Sequence, residues 1–248
     1  ANKYYDKIKE LYYKYKDLSV EGSYLQKESF NIKIRQAKNS CLTIMSHNKA
    51  KKDEVVKIIL EQFKNSNNMT DKSCAFSLYL SSDESYDKKV KFIDEYEKNI
   101  QGNLVEWEVF LANIGGNNSK DPIKLIKHIE KSPNFRIEQT NDHRALYLYF
   151  THNKRIALQT KKGLNFLKKS IIKLSKINEY NSTHMLEIFG NIDELQEKDR
   201  LIVFETALET LRKLSTKKNV GVYNTLKRIL NNSKRAKSEY LGDLKILD

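Results

Sequence analysis

The side chains that could hold a metal ion or transfer protons are few and widely spaced along this chain. There are five histidines, at His47, His128, His143, His152 and His184. No two are four residues apart and none is followed by Glu, so the His-Glu-x-x-His pattern that binds zinc and supplies a general base is absent. The nine-residue spacing of His143 and His152 puts them on different levels of a helix, and we expect surface or capping roles for both. The sequence therefore predicts no catalytic residue and no metal site.

The elements that would position any site are helices. Apolar residues recur at offsets of three and four, as in Leu164, Leu167, Ile171 and Leu174 and in Leu146, Tyr149 and Phe150, which predicts that each set forms the buried face of a helix. The chain has eight Gly and two Pro, too few turn formers for an all-β or doubly wound fold. We predict an all-α protein with more than about 60% helix, folded as a curved two-layer stack of antiparallel helical hairpins, an armadillo- or HEAT-like superhelix.

The domain organisation follows from the same pattern. We expect one helical superhelical domain over residues 1–232 and a basic C-terminal tail over residues 233–248, which can dock through its last apolar group. The longest apolar run, Leu146 to Phe150, is far too short to span a membrane, and no apolar stretch follows the N-terminus. We expect a soluble protein and favour an intracellular one.

The net charge of +13 could indicate a nucleic-acid partner. The Lys and Arg residues are spread along the chain, and the Asn- and Lys-rich vocabulary is typical of a genome-wide compositional bias. We therefore expect no specific nucleic-acid binding, although a basic helical nucleic-acid binder stays as a third hypothesis. Tyr4 to Tyr15 could stack bases, but tyrosines at helical spacing are usually core and rim residues.

Several short motifs occur in the order found in one family. Arg35 to Leu42 reads Arg-Gln-Ala-Lys-Asn-Ser-Cys-Leu, and Asn68 to Asp71 reads Asn-Met-Thr-Asp at a capped helix start where Thr70 or Asp71 can accept backbone N–H groups. Asn103 to Trp107, Ser132 to Phe135 and Thr140 to Leu146 come next along the chain. Over roughly residues 25 to 231 the chain resembles the C-terminal helical domain of the aminopeptidase N family of zinc metalloaminopeptidases.

The resemblance implies a non-catalytic domain that covers the active-site cleft of such an enzyme and limits peptide access. It implies no cofactor in this chain, with zinc held in an upstream catalytic domain. The implied partners are that catalytic domain, or another protein, and peptides at the concave face. Arg144 and His184 are the candidate substrate-channel residues, although Arg144 could instead form a structural ion pair. The alternative is a catalytically lost paralogue that acts as a helical scaffold for a protein partner.

Two departures from the family pattern bear on activity. The segment that lines the family's internal chamber corresponds to Ile156 to Leu164, which keeps little beyond Gly163, and His184 stands where the family has Arg. The Gly-x-Met-x-Asn loop that grips a substrate's amino terminus is absent as well. We expect Tyr4 to Tyr15 and Arg144 to Leu164 to offer the apolar surface that a catalytic domain would cover.

Overall fold

The computed structural model of the protein describes residues 2–16, 18, 22–100 and 102–247. The chain is 79% helical, and the described residues form no strand, so the predicted all-α class is confirmed. None of the described helices is both long enough and apolar enough to cross a membrane. The chain divides into two units, residues 1–113 with 117–121 (unit 1) and residues 114–116 with 122–248 (unit 2).

Unit 1 is built from successive helices with short connections. They are α1 (Tyr5–Lys16), α2 (Tyr24–Ser46), α3 (Lys52–Asn65), α4 (Met69–Ser81), α5 (Tyr86–Asn99) and α6 (Leu104–Gly115), whose last two residues belong to unit 2. Local capping fixes several starts. The Ser23 backbone N–H donates to Gln26 Oε1 at 3.0 Å, and the two side chains form a capping box that begins α2.

Neighbouring helices in unit 1 alternate in direction. Ion pairs join Lys9 to Glu54 and Lys16 to Glu61, seven residues further along both helices, so α1 and α3 run the same way. The Asn39 amide bonds to the Asp71 carboxylate, and one turn later the Thr43 side chain lies beside the Cys74 thiol, so α2 and α4 also run the same way. Because only short connections join α2 to α3 and α3 to α4, consecutive helices among these four are antiparallel, as predicted for helical hairpins.

Aromatic side chains fill the core of unit 1. The Phe76 ring packs on Phe110 at 5.4 Å and edge-on to Tyr96 at 5.0 Å between ring centroids. Tyr5 and Tyr12 of α1 are also core residues, 4% and 2% exposed. The expectation that the tyrosine-rich start is a surface awaiting a partner is therefore wrong for these two, because their rings face α2 and α3. Exposed apolar residues lie instead at the start of α2.

A buried carboxylate joins α2 to α4. Asp71 is 4% exposed, and its side chain accepts hydrogen bonds from Lys38 Nζ at 2.5 Å, Asn39 Nδ2 at 2.9 Å and Asn68 Nδ2 at 3.0 Å. The cap of α4 is Asn68, whose Oδ1 accepts the Asp71 N–H at 2.9 Å. The predicted capping role of Thr70 or Asp71 is wrong, because the cap lies two residues before Thr70 and the Asp71 side chain points inward.

Gln62 extends this cluster to α1 and α3. Its Nε2 donates to Asn39 Oδ1 at 2.8 Å and to the Asp71 carbonyl oxygen at 3.0 Å. Its Oε1 accepts the Tyr12 hydroxyl at 3.0 Å, and burial raises the pKa of that phenol. Each polar side chain of the cluster forms a hydrogen bond with another of its side chains, so the cluster holds α1, α2, α3 and α4 in one register.

Unit 2 has shorter helices after the end of α6. They are α7 (Pro122–Ile129), α8 (Thr140–His143), α9 (Tyr149–His152), α10 (Lys154–Gln159), α11 (Lys161–Leu174), α12 (Glu179–Met185), α13 (Glu197–Lys213), α14 (Val220–Asn232) and α15 (Lys234–Leu247). A π-helical turn, Arg144–Leu148, separates α8 from α9. Short 3-10 turns lie at Leu186–Phe189 and Ile192–Glu194.

The residues after 233 form α15 in place of a solvated tail. Asp193 accepts the backbone N–H groups of Arg235 and Ala236, at 3.1 and 2.9 Å, and thereby caps the start of α15. The buried Arg200 guanidinium of α13 donates to Glu239 at 2.7 Å, and Ala236 is fully buried. The packing of α15 on α13 follows from these contacts, while the domain boundary at residue 232 stays a prediction.

Removing the buried carboxylate should destabilise the chain. Asp71→Ala leaves the Lys38 ammonium and the Asn39 and Asn68 amides without their acceptor, and we expect a loss of about 3 kcal/mol in the free energy of unfolding in urea. The matched control is Glu61→Ala, which breaks the exposed pair with Lys16 and should cost less than about 1 kcal/mol. Equal losses in the two variants would show that the buried cluster does not hold unit 1 together.

Candidate functional site

The π turn decides which side chains of the region around Arg144 are exposed. Bonding between residues five apart adds one residue to the turn and rotates the next residues of the helix about its axis. Tyr147 is 1% exposed and Phe150 is buried, whereas Tyr149 is 43% exposed. The sequence pattern placed Tyr149 on the buried face with Leu146 and Phe150, which is wrong because it assumed an uninterrupted α-helix.

Close packing against α6 accompanies this turn. A Cβ atom at Gly115 would lie 2.2 Å from the Leu146 carbonyl oxygen, so only Gly permits this approach. Inside, the Tyr147 hydroxyl donates to Glu130 Oε1 at 2.6 Å, and burial raises the pKa of the phenol far above its ordinary value. The π turn is thus held by two contacts, the backbone approach of Gly115 to Leu146 and the hydrogen bond from Tyr147 to Glu130.

His143 lies directly before the turn and is buried, 1% exposed. Asn181 Nδ2 donates to its Nε2 at 2.8 Å and also to the Thr140 carbonyl at 3.3 Å. The ring's Nδ1 therefore carries the proton and donates to the Ile137 carbonyl oxygen at 2.7 Å. The expected surface or capping role of His143 is wrong, because α12 covers the ring.

The contact between His143 and Asn181 brings together the elements that carry both predicted channel residues. Arg144 follows His143, is the first residue of the π turn and is exposed. Its planar guanidinium can pair with a carboxylate through two hydrogen bonds. Tyr149, five residues after Arg144 and the first residue of α9, is exposed on roughly the same side.

His184 lies on α12, three residues after Asn181, with 39% of its side chain exposed. Its Nδ1 donates to Glu187 Oε1 at 2.7 Å. The ring packs edge-on against Tyr180, whose own exposure is 72%, at 4.6 Å between centroids. An exposed tyrosine therefore lies near each predicted channel residue, Tyr149 near Arg144 and Tyr180 beside His184. The exposure of Tyr149 could not be predicted from the sequence pattern, because that pattern assumes a regular α-helix. The role of Arg144 and His184 in a peptide channel stays a prediction.

The segment that departs most from the family chamber sequence forms a tight helix junction. Thr160 caps α11 by accepting the Gly163 N–H at 2.9 Å. A Cβ atom at Gly163 would lie 1.8 Å from the Ile156 carbonyl oxygen, so α10 and α11 can meet only if this residue is Gly. Packing therefore accounts for the retained Gly163.

The donor groups of the described residues do not suit a metal ion. No group of three or more His, Cys, Asp or Glu side chains converges anywhere in the part of the chain that the structure describes. Burial raises the pKa of the Cys74 thiol to about 11 and also raises that of Cys41, which disfavours the thiolate form that binds metals. The residues present therefore do not fit the zinc of the resembled enzymes.

Adding a single methyl group should displace the π turn. In Gly115→Ala the new Cβ meets the backbone carbonyl of Leu146, and we expect a loss of about 2 kcal/mol in the free energy of unfolding. The control is Gly221→Ala in α14, where the nearest atom is the flexible Glu179 carboxylate at 3.1 Å and the change should stay within about 1 kcal/mol. An unchanged Gly115→Ala variant would contradict the close approach.

Comparison with known proteins identifies the family to which the chain belongs. Residues 1–231 match the family described as "Domain of unknown function (DUF3458_C) ARM repeats". A crystal structure of Legionella pneumophila aminopeptidase A in complex with aspartic acid has a similar fold, with a TM-score of 0.77 at 16% sequence identity. The similarity covers 94% of this chain and 27% of that chain. The chain belongs to this family of ARM-repeat domains, and its resemblance to the C-terminal helical domain of the aminopeptidase N family is confirmed.

Proposed function

We propose that this chain acts as the non-catalytic C-terminal domain of an aminopeptidase N-like zinc metalloaminopeptidase, where it covers the catalytic cleft and limits access to short peptides. The match of the ARM-repeat family over residues 1–231 carries this proposal. The structural match supports it, because nearly all of this chain corresponds to a 27% share of a much larger aminopeptidase.

In this proposal the surface around the π turn faces the peptide. Arg144 supplies a fixed positive charge, and Tyr149 and Tyr180 supply exposed rings that can pack against a peptide backbone. The buried contact between His143 and Asn181 keeps the two elements together. The zinc and its general base belong to the catalytic domain of the same protein.

Loss of the Arg144 charge should affect peptide handling more than stability. In the enzyme that carries this domain, Arg144→Ala should lower kcat/KM for peptides about tenfold, the value of one charge-assisted hydrogen bond. Cleavage of small aminoacyl amides, which do not reach this surface, should change little. Arg228→Ala, which removes an exposed arginine of α14, is the matched control. If both variants behave alike, Arg144 has no role in peptide handling.

The chain on its own should not perform the family's hydrolysis. We expect less than one zinc ion per chain after dialysis and no cleavage of aminoacyl amides, because the ligand pattern and the general base are missing from the sequence. Metal analysis and a chromogenic assay on the purified chain measure these two properties. One zinc per chain that survives a chelator wash would contradict the expectation.

A further inference from the structure

One long stretch of unit 2 contains no carboxylate side chain. Between Asp142 and Glu179 there is no Asp or Glu. The same stretch, residues 143–178, contains nine basic residues: Arg144, Lys154, Arg155, Lys161, Lys162, Lys168, Lys169, Lys173 and Lys176. It comprises the π turn, α9, α10 and α11, which include the candidate residue Arg144.

This stretch concentrates the net charge in one unit. Unit 1 has 20 Lys and Arg against 18 Asp and Glu, a net charge of +2, and unit 2 has 25 against 14, a net charge of +11. The net positive charge is therefore unevenly divided between the two units. The basic residues are spread along the chain, but the acidic residues that would neutralise them are not.

Packing turns the basic residues of α11 outward together. The buried residues of α11 are Leu164, Leu167, Ile171 and Leu174. The opposite face of α11 is therefore exposed to solvent. Lys162, Lys169 and Lys173 lie on that exposed face, and Lys176 follows directly after it. At 1.5 Å per residue these lysines extend over about 20 Å.

Carboxylates from neighbouring elements neutralise little of this face. Glu209 of α13 pairs with Lys168 at 2.5 Å. Seven of the nine basic residues have no carboxylate oxygen within 4.0 Å among the residues that the structure describes: Lys154, Arg155, Lys161, Lys162, Lys169, Lys173 and Lys176. The basic face, defined as the four of these lysines on or directly after α11 (Lys162, Lys169, Lys173 and Lys176), therefore presents a positive field to solvent.

The chemistry of the basic face favours an acidic polypeptide over the other polyanions. The apolar side of α11 is used in the core, and the large exposed apolar residues of the stretch are Tyr149 and Ile177, which gives a lipid surface little to bury. A single-stranded nucleic acid is bound by rows of exposed aromatic rings, and this stretch offers Tyr149 with the adjacent His152. Six or seven residues of an extended peptide match a length of about 20 Å.

We propose that the basic face recruits peptides rich in Asp and Glu, so that acidic peptides are the substrate class of the enzyme that carries this domain. The substrate assignment rests on the proposed function, whereas the binding itself does not. A one-signed field of this kind raises the local concentration of oppositely charged peptides and disfavours basic ones.

Fluorescence anisotropy with the purified 248-residue chain tests the binding directly. The probe is a labelled peptide of about twelve residues, half of them Glu, in about 150 mM salt, and its comparison peptide has Gln at every Glu position. We expect the Glu peptide to bind about tenfold more tightly than the Gln peptide. The triple variant Lys162→Glu, Lys169→Glu and Lys173→Glu should abolish this difference.

A second triple variant separates position from total charge. Lys33→Glu, Lys57→Glu and Lys64→Glu change exposed lysines of unit 1 and alter the net charge equally, so they should leave the affinity within about threefold. Circular dichroism establishes that both variants stay helical. An equal loss in the two triples would overturn the proposal, because the binding would then reflect net charge alone.

Tighter binding of single-stranded DNA or of phosphatidylserine vesicles at the same salt would also overturn it in favour of those partners. Absence of any preference for the Glu peptide would do the same. None of these measurements requires peptidase activity. A chain that fails them can still be the C-terminal domain of an aminopeptidase, and a chain that passes them need not be.

Discussion

The need to satisfy buried polar groups at helix ends constrains which helices of this structure can be neighbours. A stack of short helices buries many termini, and each terminus has N–H or C=O groups without partners inside the helix. Side chains from other elements supply such partners: Asn219 bonds the carbonyl of Ser175 at the end of α11, and Asp193 accepts the N–H groups of residues 235 and 236 at the start of α15. Since a polar partner fits one position only, these bonds specify which helices are neighbours within each unit.

Features that depend on nearby residues could be predicted from the sequence, and features that depend on distant residues could not. The helical period is local and is as expected, and the start of α7 at Pro122 follows from the local preference for proline at the first position of a helix. The π turn, in contrast, packs against Gly115, about thirty residues upstream, and the burial of His143 depends on Asn181. A single α-helical period was assumed through Leu146 to Phe150, so the exposure of Tyr149 was missed.

Two of the motifs that carry the family resemblance are structural in this chain. Lys38 and Asn39 belong to one motif and Asp71 to another, and the structure joins them in a single buried cluster. Such motifs identify the fold reliably because removing one member leaves the others unsatisfied. They contain little information on activity. The segment that would describe the chamber, Ile156 to Leu164, keeps Gly163 for a helix contact, so functional residues here must be argued from exposure and charge.

The charge of a chain indicates a binding surface only when the packing shows which helix faces are exposed. Solvent screens charges over about 8 to 10 Å at physiological salt, so an average over the whole chain says little about any one surface. Lys169, Lys173 and Lys176 lie within about 10 Å of one another along the helix axis and therefore act as one field. Unit 1 has 20 basic residues against the 25 of unit 2, but its 18 acidic residues bring its net charge down to +2. The missing carboxylates between Asp142 and Glu179 thus distinguish a surface that attracts anions from one that is merely rich in lysine.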